Sequence, residues 1–377
     1  MNKLKTWAFL MALTLSGASV IQAAWTTQRL TTNAGDSFRP DVAVSGANVY
    51  VVWCDETPGN REIYLVKSAN NGATWQDSQR LTSNAGDSTY PSIAVSATNI
   101  YIVWRDETPG NAEIYFRRSI DGGATWQVAK RLTNNSGFSD YPDIAVSGTN
   151  VYVIWEDYTP GNYEIYFRKS ADGGATWQSA QRLTNNPGFS SNPRIAKYGS
   201  NVYIVWSDSN PGNEEIYFCR SADSGTTWQP ALRLTKNAGY SEVPSVAVNG
   251  ASIYVAWMND TPGKYDIFFV NSADKGITWQ TAKRLTSNSG WSMSPDIAVS
   301  DTNIYVTWYD DTPGNEEIFF RRSADGGATW QASQRLTFNS GDSYAPAIAV
   351  NAINLYIVYT DLTPGNGEIY VKYSPLL

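Results

Sequence analysis

The chain has 377 residues, of which 42% are hydrophobic and 17% charged, with a formal net charge of −7 and no histidine. An acidic surface repels phosphate backbones and anionic lipid, which argues against nucleic acid and membrane partners. The missing histidine removes the usual general base of serine and cysteine hydrolases and the commonest zinc ligand, leaving carboxylates, Tyr, Lys and Arg for any catalysis.

Residues 1–23 read as a secretory signal peptide: Lys3 and Lys5, an apolar run from Trp7 to Leu15, then small residues before Trp25. The run is too short to span a membrane. Export to the periplasm or the medium is therefore expected, and loss of the two lysines takes the charge to −9. Residues 24–377 are expected to form one domain, without membrane insertion.

That domain is a repeat. A Trp recurs at Trp25, Trp75, Trp126, Trp177, Trp228, Trp279 and Trp330, spaced by 50 and then 51 residues. Arg-Leu-Thr follows each of them, starting at Arg29, and Pro-x-(Ile/Val)-Ala follows that, starting at Pro40. In the third repeat four short strands are predicted: Ile144–Val146, Val151–Trp155, Glu164–Arg168 and Trp177–Thr184, the second rich in β-branched and aromatic residues. Thr159-Pro160-Gly161-Asn162 predicts a type II turn with Pro160 and Gly161 central. Helical spacing appears nowhere. Four strands repeated around a ring predict an all-β, seven-bladed β-propeller. The chain starts on an isolated fourth strand, Trp25 to Thr31, and ends on a third strand, Glu368 to Tyr373, so the N-terminal strand is expected to complete the last blade and close the ring.

Cys54 and Cys219 occupy non-equivalent positions in the first and fourth repeats and are expected as free thiols. No metal-ligand spacing occurs, and neither metal nor cofactor is expected. The recurring Asp55, Asp106, Asp157, Asp208, Asp310 and Asp361, replaced by Asn259 in the fifth repeat, read as loop caps. The recurring Glu62, Glu113 and Glu164 read as cross-strand partners of the recurring Arg.

Between third and fourth strands lies Ser-x-Asp-x-Gly-x-Thr-Trp, as in Ser119 to Trp126, with its carboxylates at Asp121, Asp172, Asp223, Asp274 and Asp325 and Asn70 in the first copy. Each Asp suits turn N–H groups, each Gly a positive φ, and each Trp the core. This motif resembles the Asp-box, or BNR repeat, of the sialidase-like propellers, and the resemblance covers essentially the whole predicted domain. It implies a structural role for the box on the face opposite the family's active site. Sialidases of the family have six blades, three arginines on the substrate carboxylate, a Tyr–Glu nucleophile pair and an Asp acid/base; seven-bladed xyloglucanases carry the same box. Phe38-Arg39-Pro40 is similar to the family's first arginine motif but is one residue shorter.

Function is expected where the blades stop being identical. On the face opposite the Asp-boxes, the residue after the loop glycine is Asp36, Asp87, Phe138, Phe189, Tyr240, Trp291 and Asp342 in blade order. Four consecutive aromatics beside three carboxylates suit the apolar ring faces and hydroxyl edges of a carbohydrate, or else cover neighbouring blades. Arg39, Arg105 and Arg194 replace non-Arg residues and could share a carboxylate, if they are more than independent surface changes. No catalytic residue is singled out. Three readings stay open: a non-catalytic, monomeric module binding a glycan or an extracellular protein; a glycoside hydrolase, exo-sialidase-like or xyloglucanase-like, working with funnel carboxylates and the arginine cluster; and a scaffold with no small-molecule ligand.

Overall fold

The computed structural model describes residues 24–376, so the predicted signal peptide lies outside the described residues. Twenty-eight strands form seven four-stranded antiparallel sheets, without a helix among the described residues. Blade 3 is typical: inner strand Ser139–Ser147, second strand Asn150–Asp157, third strand Glu164–Ser170 and outer strand Gln181–Arg182. Blade 7 takes Ser343–Val350, Asn354–Asp361 and Glu368–Pro375 from the C-terminal end and Thr26–Arg29 from the N-terminal end, as the strand count requires.

The apolar core lies between neighbouring blades rather than inside one. Phe116 and Ile114 of blade 2 pack with Val151, Val153 and Trp155 of blade 3, and Val51 and Trp53 of blade 1 pack likewise against Tyr356 and Val358 of blade 7. The second strands are buried on both faces, which explains their near-continuous apolar sequence. Cys54 and Cys219 are separate buried free thiols.

Three local expectations need correction. Six of the outer strands keep only two residues because the Asp-box Trp leaves its own sheet: Trp177 meets Phe116 of the preceding blade edge-on at 5.0 Å, and the ladder resumes at Gln181. The turn starts one residue earlier than predicted. Asp157 Oδ1 accepts the Thr159 N–H at 2.9 Å, and Gly161 N–H closes on Tyr158 O at 3.0 Å, so Pro160 sits third in the turn and Gly161 fourth, at φ 101°. The inner strand is longer than Ile144–Val146 but broken by a β-bulge, with the register shifting between Asp140 and Asp143. Every blade has this bulge, always at the residue before the proline. Arg39, Tyr90, Tyr141, Asn192, Val243, Ser294 and Ala345 all have φ between 47° and 54°.

Repeated polar residues act as scaffold. Asp55 Oδ2 accepts from Trp53 Nε1 at 3.1 Å and Ser37 Oγ at 2.8 Å, while Oδ1 caps Thr57 N. Each fully buried Glu meets its Arg, as in Glu164–Arg182 at 2.8 Å. In blade 5 Asn259 donates to Ser241 Oγ at 2.9 Å, leaving the buried Trp257 Nε1 without an acceptor. Asn259→Asp is expected to restore that acceptor and stabilise the fold by about 1 kcal/mol, read as a raised melting temperature. A lowered one would mean that Asn259's present donors matter more.

Candidate functional site

The seven bulges set the site. Because the residue before each proline adopts a left-handed backbone, its side chain reaches the axis of the ring, and so does the residue after the proline. Together they line a central channel of about 370 Å³. A β-branched Val243 at φ 49° shows that the backbone, not residue preference, dictates this conformation.

The residues after the prolines form a polar collar. Asp41 binds Val42 N and, on blade 2, Ile93 N at 2.9 Å. Ser92 donates to Asp143 at 2.8 Å, Asp143 reaches Ile195 N of blade 4 at 2.9 Å, and Ser245 and Asp296 repeat the pattern toward Ile348 N of blade 7. Burial pushes the Asp41 carboxyl up to about 7, with Asp143 and Asp296 adding repulsion. These carboxyls tie blades together.

At the loop face the channel opens into a second cavity of about 530 Å³ over blades 7, 1, 2 and 3, sharing Arg39 and Tyr90 with the channel. Three arginines converge on it: Arg39, Arg61 and Arg105. Arg61 pairs with Glu56 at 2.8 Å. Arg105 pairs with Glu107 at 2.7 Å and with Asp140 at 3.1 Å. Arg39 has no carboxylate within ion-pair reach among the described residues; its guanidinium lies over the Tyr90 ring, 4.0 Å from the centroid. Tyr90 OH meets Tyr141 OH of the next blade at 3.0 Å, and the two rings lie 4.4 Å apart.

Beyond the arginines the mouth turns acidic. Glu156, 4% exposed and opposite Asp140 across the strand pair, accepts the Asn192 N–H at 2.8 Å. Burial pushes its carboxyl up to about 8. Burial also raises Asp140, against the pull of Arg105. Glu214 is raised by burial and then by its hydrogen bond with Glu242, which also accepts from Tyr265 OH at 3.1 Å. Below the ordinary value of 4.5 both folded and unfolded chains keep Glu156 protonated; between there and about 8 only the unfolded chain ionises, so stability falls as pH rises. Each pH unit in that window removes about 1.4 kcal/mol at most. Glu156→Gln keeps the acceptor and should melt above wild type at pH ~8 but not at pH ~4, where the linkage vanishes. Equal differences at both pH values would contradict the buried, protonated carboxyl.

The sequence-selected residues fall into separate places. Arg39, Arg105 and Asp36 meet in the mouth cavity; Arg194 instead lines the channel wall. Asp36, Asp87 and Asp342 accept the N–H groups of Gly367, Arg61 and Glu316, bracing the preceding blade's loop. Phe138, Phe189, Tyr240 and Trp291 form an arc over blades 3 to 6, each 47–50% exposed. Trp291 rests edge-on against Tyr265 at 5.5 Å, so the arc both covers a neighbour and offers a ring face. The five Asp-box carboxylates stay on the other face; Asp121 accepts from Thr125 Oγ1, Thr125 N and Ser119 Oγ, which lowers it to about 2. Sequence reasoning missed Arg61, Tyr90, Tyr141 and Glu156. Each stands at a position where the blades differ, the signal that selected Arg39 and Arg105.

A family described as a BNR repeat-like domain matches residues 162–374, more than half of the chain. A xyloglucanase of Acetivibrio thermocellus is 27% identical over 254 residues, covering 57% of this chain and 28% of its own. A TolB homolog of Chlorobaculum tepidum is 29% identical over 138 residues, covering 37% and 27%. The matched region thus spans less than a third of the length of these relatives. Among solved structures, a sialidase of Trypanosoma rangeli superposes with TM-score 0.57 at 10% identity, covering 92% of this chain and 59% of its own. A polysaccharide lyase superposes with TM-score 0.61 at 11% identity, covering 89% and 90%. At such identities the likeness is one of fold.

Proposed function

The chain belongs to the BNR repeat-like domain family, and from that premise we propose that it binds an acidic glycan at the loop-face mouth of its channel. One observation carries the reading: Arg39 presents an uncommitted guanidinium to a cavity whose other two arginines are held by carboxylates. Arg61 and Arg105 are largely neutralised, so a single ligand carboxylate is read by one bidentate donor rather than by a broadly positive surface. The half-exposed arc from Phe138 to Trp291 extends the site over four blades and suits further sugar rings. Export and a monomeric state belong to the same proposal.

Titration with a uronic-acid oligosaccharide and with its carboxyl-reduced form tests this. Tight binding of the first and at least tenfold weaker binding of the second is expected; equal affinities would remove the acidic ligand. A second reading, glycoside hydrolysis, is favoured by Asp140 and Glu156, two carboxyl side chains on directly paired cross-strand neighbours. Release of reducing sugar that Glu156→Gln abolishes would decide for it.

A further inference from the structure

The tyrosine pair at the throat of the site is absorbed by neither reading. Tyr90 and Tyr141 stand before Pro91 and Pro142, held left-handed at φ 52° and 47° by the bulges of blades 2 and 3. Nothing in the repeat asks for tyrosine there: the other five blades have Arg39, Asn192, Val243, Ser294 and Ala345. Both rings are half-buried on the channel wall, their hydroxyls meet at 3.0 Å, and the Arg39 guanidinium covers one of them. A packing role would be served by the rings alone. Two hydroxyls joined by a hydrogen bond beside a carboxylate-binding cation make an acid and a base that exchange a proton directly.

We propose that this pair carries out β-elimination on a uronic-acid polysaccharide whose carboxylate is held by Arg39. The inference rests on the acidic-glycan reading of the mouth. Arg39 neutralises the carboxylate and so acidifies the hydrogen on the ring carbon that bears it. Tyr90, as the phenolate under that guanidinium, takes this proton. The C–H electron pair becomes a double bond to the adjacent ring carbon, whose C–O bond to the next sugar breaks. The leaving oxygen takes the Tyr141 proton, giving a free hydroxyl and an unsaturated uronate, with no water or oxidant consumed. The step leaves Tyr90 protonated and Tyr141 ionised, and one proton passing back along their hydrogen bond resets both. Among exposed groups at this throat the chemistry fits better than hydrolysis, since Glu156 is almost wholly covered and Asp140 is engaged by Arg105.

The test uses the purified protein with polygalacturonate, alginate, hyaluronan and chondroitin, following the ultraviolet absorbance of the conjugated product together with reducing ends and affinity. The wild type should generate absorbance and reducing ends in equal amounts on at least one polymer. Tyr90→Phe and Tyr141→Phe should each lose at least 100-fold in rate, with affinity within threefold of wild type and unchanged melting. Reducing ends without absorbance would overturn elimination in favour of hydrolysis. Binding without turnover on all four polymers, or full activity in both Phe variants, would overturn it while leaving the binding reading standing. Absence of binding to every polymer would remove both.

Discussion

Arg39→Ala is expected to weaken binding of a uronic-acid oligosaccharide by about 2.5 kcal/mol, close to two orders of magnitude, without a comparable loss of stability. The size follows from what Arg39 does when no ligand is present. Among the described residues its guanidinium meets the Tyr90 ring, 4.0 Å away, and no carboxylate, which leaves its hydrogen-bonding capacity for an incoming one. Arg61→Ala should cost less, since that side chain already spends itself on Glu56. Arg105→Ala is a different case: it uncovers Glu107 and Asp140, and the exposed negative charge repels the ligand. Arg39→Lys keeps the charge but not the planar fork, and its affinity should fall between wild type and Ala. Titration calorimetry on the four variants, with melting curves alongside, gives the order. If Arg39→Ala binds as well as wild type, the mouth is not the carboxylate site.

Arg29→Ala is expected to remove about 3 kcal/mol of stability, because it strands a buried carboxylate at the ring's one non-covalent seam. Glu368 is fully buried and Arg29 reaches it at 2.7 Å; the same short strand brings Leu30 N to Ile369 O and Thr31 Oγ1 to Ile369 N. Trp25 adds an edge-on contact with Phe320 of blade 6 at 5.5 Å. Six other blades have an equivalent ion pair inside one continuous stretch of chain, so Arg182→Ala, which breaks the 2.8 Å pair to Glu164, is the matched control. There the chain connection holds the outer strand in place. At the seam the strand is joined to blade 7 by non-covalent contacts alone, and Arg29→Ala should cost more and broaden the transition. Calorimetric scans of the two variants settle it: equal losses would mean that the seam is no weaker than any other blade.

The architecture is legible in the sequence because each repeat states it again. Seven spaced Trp residues count the blades, and an orphan fourth strand at one end against a missing one at the other dictates closure. The site is harder to read, for a geometric reason. Arg39 stands before its proline and Arg194 after its own, a difference visible in the sequence but without meaning until the bulge is known. The bulge sends the first toward the mouth and leaves the second on the channel wall. Tyr90 and Tyr141 share Arg39's position, yet a tyrosine is commonplace in a chain that has 23 of them. Their hydroxyl contact is what marks them as a pair. Glu156 occupies the variable position that holds Arg105 in blade 2, and it is burial against blade 4 that sets its chemistry. Side chains before a bulged X-Pro therefore merit comparison across the blades of any such propeller.

The position of a bound uronic-acid oligosaccharide in a crystal of the complex tests the central claim most directly. The account predicts its carboxylate on Arg39, its ring above Tyr90 and Tyr141, and its further sugars running over the loop face. A ligand seated on the Asp-box face, or on the aromatic arc with Arg39 untouched, would contradict it.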